Sequence, residues 1–342
     1  MRRLVVIALL ACAACAGTGS EPASRRAVER SRLAMGSSLR VSAWTTDEAA
    51  TVAVIEQVFR EFERLESLMS VWKPGSDVIR LNEAAGRAPV AVSGETLTVL
   101  EAAAQASEWT GGKFDITFGA LADLWKFDHD QDNLVPDRRA IDARLPFVDY
   151  RLVQVDRAAG TAFVSNAGAR IHLGGIGKGY AVDRAATLLR EHGLSDFLIQ
   201  SGGDLYVAGK NGHLPWTLGI ADPRSAAGPA FATLEVSDGT VSTSGDYERF
   251  FIKDGVRYHH LLDPDSGQPA IGTRSVTIVA DQAMVADVLS TGVFLLGPAQ
   301  GMALIERLPQ VEGVIVTAKN QVLVSSGLKG RLTMVAPPTD GR

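Results

Sequence analysis

Residues 172–184, HLGGIGKGYAVDR, restrict the fold of this chain more than any other segment. Four glycines (Gly174, Gly175, Gly177, Gly179) and Lys178 stand between an apolar run and an amphipathic one. That order reads as a strand, a bare backbone loop and a helix N-terminus. Glycines let the main chain approach a bulky anion, helix N-terminal amides point at it, and Lys178 supplies a charge that reaches a phosphate oxygen. The competing reading is a tight turn and nothing more, because neither the dinucleotide fingerprint nor the P-loop spacing is matched.

The chain of 342 residues, 46% hydrophobic and 21% charged, is long enough for one large or two moderate domains. A net charge of −5 without a basic run excludes an electrostatic nucleic-acid footprint. At the N-terminus, Arg2 and Arg3 precede the apolar run Leu4 to Ala11, then Cys12, two alanines and Cys15. We read residues 1–15 as a secretory signal, too short to span a bilayer, which takes about 20 apolar residues. Cysteine after small residues resembles a bacterial lipoprotein signal, so the expectation is an exported protein, lipid-anchored on the periplasmic face of a bacterial membrane. Either Cys12 or Cys15 fits as the lipidated residue, and plain secretion is the alternative. Both cysteines lie in this segment, which leaves residues 16–342 without a disulfide.

Residues 16–32 are small, polar and charged and read as a tether; 33–335 read as the folded domain and 336–342 as a tail. Ser38 to Trp44 reads as a strand. Thr46 opens a long helix in which Ile55, Phe59, Phe62, Leu65 and Met69 recur at helical steps. Ser93 caps a helix ending at Trp109, and Asp128 to Arg139 reads as a surface loop. Short β-branched runs follow (197–200, 205–208, 217–220, 232–236, 275–279, 314–316). They are broken by helices over 178–192, 284–296 and 298–308. This alternation predicts an α+β fold of mixed or antiparallel sheets packed with helices, without internal repeats.

Asp287 and Thr291 lie four apart on the predicted helix, so a carboxylate and a hydroxyl share a face. Two hard oxygens suit a phosphate-bound Mg²⁺ and are too few for calcium, although an isolated D-x-x-x-T is also compatible with capping and back-bonding. His259 and His260 lie between a strand and a turn and point to opposite sides, so one of them at most faces a given site. Neutral imidazole is the usual base for a hydroxyl, while a structural histidine is the bland alternative. No zinc ligand spacing or hydrolase triad motif occurs. Trp72, after the first helix, either stacks on a flat ligand or covers the core.

Taken together, ordered stretches resemble the ApbE family of FAD:protein FMN transferases over nearly the whole chain after the tether. They are Met35–Ser37, Met69–Trp72 with Asp77–Asn82, Gly112–Thr117, Leu173–Asp183, Ser201–Asp204, Thr243–Tyr247, His260–Pro264 and Ala286–Thr291. The resemblance implies transfer of the FMN half of FAD to a threonine of an exported or membrane redox subunit, with AMP released and Mg²⁺ at the pyrophosphate. It implies that Met35, Trp72, Lys113, Phe114, Asp115, Lys178 and Leu261 line the FAD site. Gly175 (through its main-chain oxygen), Asp287 and Thr291 would hold the metal, and His260 would be the general base. The family usually has an acid before L-G-G. Here it is His172, which can hydrogen-bond flavin or ribose but brings no fixed charge. Hydrolysis of FAD to FMN and AMP, or FAD binding without chemistry, are the alternatives to transfer.

Overall fold

A computed structural model describes residues 24–128, 130–225 and 228–340; the expected signal segment, residues 1–15, lies outside them. Its centre is an eight-stranded sheet whose spatial order follows the chain. The strands are β1 (Arg26–Ala34), β2 (Ser37–Thr45), β3 (Phe197–Ser201), β4 (Asp204–Ala208), β5 (Gly239–Gly245), β6 (Thr273–Ala280), β7 (Glu312–Thr317) and β8 (Val322–Val324). Every neighbouring pair is antiparallel, so this is an α+β protein with the helices inserted between strands of a meander.

Among the described residues seven α-helices complete it: α1 (Glu48–Met69), α2 (Asp77–Ala84), α3 (Gly94–Trp109), α4 (Arg138–Arg144), α5 (Gly177–Glu191), α6 (Ala283–Leu296) and α7 (Pro298–Arg307). Their starts follow local chemistry. Asp47 accepts the Ala50 amide at 3.0 Å, Ser76 that of Ile79 at 3.0 Å, and Ser93 that of Thr96 at 3.1 Å. The cap of α1 is thus Asp47, one residue beyond the expected Thr46. Helix α5 is closed by Gly193, two residues past its last residue, whose φ of +78° is a left-handed conformation that a side chain would strain.

Period-two alternation buries both faces of the sheet. Phe197, Ile199, Ile278 and Ile315 meet α1, α3, α5 and α6 in the main core, where Phe59 and Phe62 are fully enclosed. Truncating either phenylalanine to alanine would cost about 3–5 kcal/mol. Leu198, Val207, Val241, Val314 and Val316 face the other way, onto a three-stranded sheet (216–220, 232–236, 332–334) carrying Trp216, Leu218 and Leu234. A third cluster of Leu121, Trp125, Phe127, Ile141, Phe251 and Leu262 supports the hairpin 250–259.

Three expectations change. Residues 26–32, read as tether, are most of β1, paired along its length with β2. The strand hid because it lies at a sheet edge, where Arg, Glu and Ser face solvent and little apolar alternation remains. Residues 336–340 are pinned rather than a free tail: the Ala336 amide donates to Phe231 O at 3.1 Å, the Thr339 amide to Asp222 Oδ2 at 2.8 Å, and Pro338 O accepts from Asn320 Nδ2. The loop expected to reach Arg139 gives way at Arg138 to α4, capped by Asp137.

Candidate active site

The glycine loop lies against α6. The Gly179 amide donates to Asp287 Oδ2 at 2.9 Å, and a side-chain carbon at Gly179 would stand 2.5 Å from Ala283 O, so only glycine permits this approach. One turn earlier, a side-chain carbon at Gly175 would stand 3.7 Å from Thr291 Oγ1 and 3.3 Å from the Phe114 ring. Next to Thr291, Gly292 admits the end of α3: a side-chain carbon there would meet Thr110 Cγ2 at 2.5 Å. Thr110 Oγ1 in turn accepts the Phe114 amide at 2.9 Å, which sets the buried Phe114 beside Gly175.

Lys178 stands between two buried carboxylates, 3.2 Å from Asp204 Oδ2 and 3.9 Å from Asp287 Oδ1. Burial alone would lower its pKa, but Asp204 and Asp287 outweigh that and hold the ammonium above its usual range. Burial raises Asp287 to about 7, with the Asp204 charge adding to it and Lys178 opposing. Asp204 Oδ1 accepts from Ser242 Oγ at 2.5 Å, whereas its Oδ2 has no hydrogen bond and only the ion pair.

Beneath α6 runs a row of hydroxyls. Ser242 and Ser244 take the helix-facing positions of β5 opposite to Val241, and Ser244 Oγ lies 2.7 Å from Ser290 Oγ and 3.2 Å from Thr291 Oγ1. Ser290 Oγ donates to Asp287 O at 2.9 Å. Asp287 Oδ1, Thr291 Oγ1 and the neighbouring main chain of Gly175 are all hard oxygens. Such a set suits a small divalent cation that keeps water and phosphate in its shell. Among the described residues no group of three or more His, Cys, Asp and Glu is arranged to hold a metal by itself.

The two adjacent histidines make different contacts. His259 is buried, donates through Nε2 to Ala270 O at 3.0 Å and packs its ring against the edge of Phe294. His260 Nδ1 lies 3.3 Å from Arg249 O; a carbonyl only accepts, so Nδ1 carries the proton and Nε2 keeps a free lone pair. Burial and the Arg249 charge lower His260 to about 3. The same arginine charge opposes the protonated forms of Lys178 and His172 as well. Arg249 is held by Asp128 at 2.7 Å, at the start of the charged insertion.

His172 has the opposite tautomer. Its Nδ1 accepts the Gly174 amide at 3.0 Å, which places the proton on Nε2, and burial lowers its pKa to about 4. In this chain the imidazole therefore ties down the glycine loop and stays neutral.

The remaining expected residues divide. Lys113 Nζ donates to Asp263 Oδ1 at 2.6 Å and Asp265 Oδ2 at 2.8 Å, joining the Gly112–Thr117 loop to the segment after His260. Leu261 is buried in the main core. Asp115 Oδ1 accepts from the Thr117 amide and hydroxyl and Oδ2 from the Tyr150 amide, so its side chain organises the loop. Met35 sits at the β1–β2 hairpin tip with φ +48°, and Trp72, 55% exposed, lies on the turn after α1. Each is on a turn of its own. Sequence reasoning gave no role to Asp204, Ser242, Ser244 or Arg249. Hydroxyls alternating through 240–244, where a buried strand should carry apolar residues, were the available signal; Arg249 offered none.

Comparison with known proteins accords with this geometry. A family model described as the ApbE family matches residues 35–315. A Treponema pallidum (strain Nichols) protein named FAD:protein FMN transferase is 35% identical, the match covering 96% of this chain and 95% of that one. A protein of the same name from Klebsiella pneumoniae (strain 342) is 32% identical over 88% of this chain and 92% of its own length. Among solved structures, the ApbE protein of Thermotoga maritima superposes with a TM-score of 0.82 at 33% identity, covering 90% of this chain and 99% of that one. The flavin transferase ApbE from Vibrio cholerae gives 0.82 at 28% identity, with 90% and 100% covered. Glycine loop, α6 oxygens and overall likeness agree, and the chain belongs to the ApbE family.

Proposed function

We propose that this protein is an FAD:protein FMN transferase, which moves the FMN half of FAD onto a threonine hydroxyl of an exported or membrane redox subunit and releases AMP. The observation that carries the reading is the set of oxygens and charge where the glycine loop meets α6: Gly175, Lys178, Asp287 and Thr291. The relatives that bear this name are similar over most of their length.

The threonine oxygen attacks the flavin-side phosphorus, forming a phosphoester as the bond to the bridging oxygen breaks; AMP leaves with that oxygen. A hydroxyl is a poor nucleophile near neutral pH, so its proton must go to a base within reach. His260 Nε2 carries the lone pair proposed for this role, and Arg249 O fixes the ring through Nδ1. Charge building on the pyrophosphate in the transition state is offset by the Lys178 ammonium, held in place by Asp204. Gly175, Asp287 and Thr291 would hold Mg²⁺, whose role when bound is to neutralise the phosphates and steady the departing AMP. Phe114, Leu261, Trp72 and Met35 are proposed to shape the flavin pocket, and Lys113, Asp115 and His172 to support it from the loops. We place the protein outside the cytoplasm, on a lipid carried by Cys12 or Cys15; among the described residues no helix is long and apolar enough to cross a membrane.

Purified protein given FAD and Mg²⁺, with and without a threonine-bearing acceptor, tests the reading by mass spectrometry of the acceptor and quantitation of AMP. The expected result is a flavinylated acceptor with AMP formed in step. Free AMP without acceptor, and no flavin on the acceptor when it is present, overturns transfer in favour of FAD hydrolysis. Intact FAD in both arms leaves only a binding protein.

A further inference from the structure

Three contacts join the glycine loop and α5 to α6 at equal intervals. Gly175 faces Thr291, Gly179 bonds Asp287, and Asp183 bonds the start of α6. Moving four residues along one side moves four residues back along the other, so the two segments run antiparallel and are locked in one register. The first two rungs carry the oxygens assigned to the metal. The third carries none, and its chemistry is different. Asp183 Oδ1 accepts the Ala283 amide at 2.8 Å and Oδ2 the Met284 amide at 2.9 Å. Gln282, the residue in the cap position of α6, makes no side-chain cap bond. A carboxylate from α5 therefore caps a helix to which it does not belong, where its charge also faces the positive end of the α6 dipole.

From this we infer that Asp183 is a positioning residue for the transfer site: by capping α6 from α5 it fixes the register that brings Asp287 and Thr291 opposite Gly179 and Gly175. It does not itself touch substrate or metal. A self-supplied cap would stabilise α6 equally but would leave it free to slide or tilt against α5. Gly179 makes the arrangement sensitive, because Ala283 O lies 2.5 Å from where its side-chain carbon would be, so the helices already stand at closest approach. The inference deepens the proposed function and rests on its assignment of Gly175, Asp287 and Thr291 as metal donors.

The test compares the parent protein with Asp183→Asn, Asp183→Glu and Asp287→Ala. Asparagine keeps the shape but turns an amide donor toward one of the two helix amides; glutamate keeps both oxygens one methylene too far out. Mn²⁺ binding is followed by its spin-resonance signal, and hydrogen exchange is followed at the Gly179 amide in metal-free protein. Loss of a supporting contact at a metal site lowers affinity about ten- to a hundredfold. That loss is expected for Asp183→Asn, with faster exchange at Gly179, one turn from the substitution, and circular dichroism unchanged. If Asp183→Asn does not fold, Asp183→Glu is read in the same two assays with the same expectation. Parental Mn²⁺ affinity together with parental exchange at Gly179 overturns the inference and leaves Asp183 a local cap. If the parent and Asp287→Ala bind Mn²⁺ equally weakly, the metal assignment fails instead. The Gly179 exchange rate then decides the register role alone.

Discussion

Gly179→Ala sets two known effects against each other at one atom. Replacing glycine by alanine inside a helix ordinarily stabilises by about 0.5–1 kcal/mol, because less backbone freedom is lost on folding. Here the new methyl would stand 2.5 Å from Ala283 O and 2.7 Å from Met284 Cα, both main-chain atoms that cannot rotate aside. Overpacking of that kind costs about 1–3 kcal/mol. Spreading the helices also stretches the bond from the Gly179 amide to Asp287 Oδ2, now 2.9 Å, and a hydrogen bond to a charged group contributes about 1.5–3 kcal/mol. The steric and hydrogen-bond losses exceed the entropic gain, and the expected net is a destabilisation of about 2–5 kcal/mol. Gly177→Ala is the control, since nothing lies within 4 Å of its built side-chain carbon. It should be neutral or stabilising by up to about 1 kcal/mol. Urea unfolding of parent and both variants measures this, with midpoints compared at constant slope. Equal midpoints for Gly179→Ala and Gly177→Ala would refute both the close approach and the ladder argued from it.

Lys178→Met leaves Asp204 and Asp287 buried without a counter-charge. It should cost the metal-free protein about 3 kcal/mol, the low end for a broken buried pair because Asp287 can take up a proton. Added Mg²⁺ should therefore raise the melting midpoint of the variant more than that of the parent, and equal rises would contradict the pairing. His260→Ala is expected to lower transfer about 10²–10⁴-fold while FAD affinity changes little, as measured by single-turnover kinetics and fluorescence titration. Parental turnover would remove His260 as the base. The pH dependence follows from Asp287, raised to about 7. Between its ordinary value of 3.8 and about 7 the folded protein holds a proton that the unfolded chain has lost, so this group makes metal-free stability fall as pH rises through that window. Divalent-metal affinity should climb about tenfold per pH unit below 7 and level off above it, because the metal needs the ionised carboxylate. A flat affinity from pH 5 to 8 would show that Asp287 is not the ligand.

The long helices could be read from the chain because each shows one strong local signal: the helical period from Ile55 to Met69 in α1, whose cap falls at Asp47 and not at the expected Thr46, and the Ser93 cap in α3. Strand β1 could not, since an edge strand with Val28 and Ala34 as its buried residues has almost no alternation to show. The 336–340 segment was equally hidden, because it is held by single hydrogen bonds from main-chain groups, which leave no pattern in side-chain type. The site shows the same division. Glycines announce bare backbone, and Asp287 with Thr291 announces two oxygens on one helix face, so both halves are visible locally. What joins them is a pairing between segments about a hundred residues apart, and no local pattern states a pairing. The intervals were present all along: Gly175, Gly179 and Asp183 on one side, Ala283, Asp287 and Thr291 on the other. Equal spacing on two segments becomes informative only once they are known to lie antiparallel. Then Gly179 acquires its reason, the close contact between helices, while Gly175 is seen to bring the main chain beside the Thr291 hydroxyl. Asp183, which resembles any surface carboxylate in sequence, becomes the residue on which the other two rungs depend.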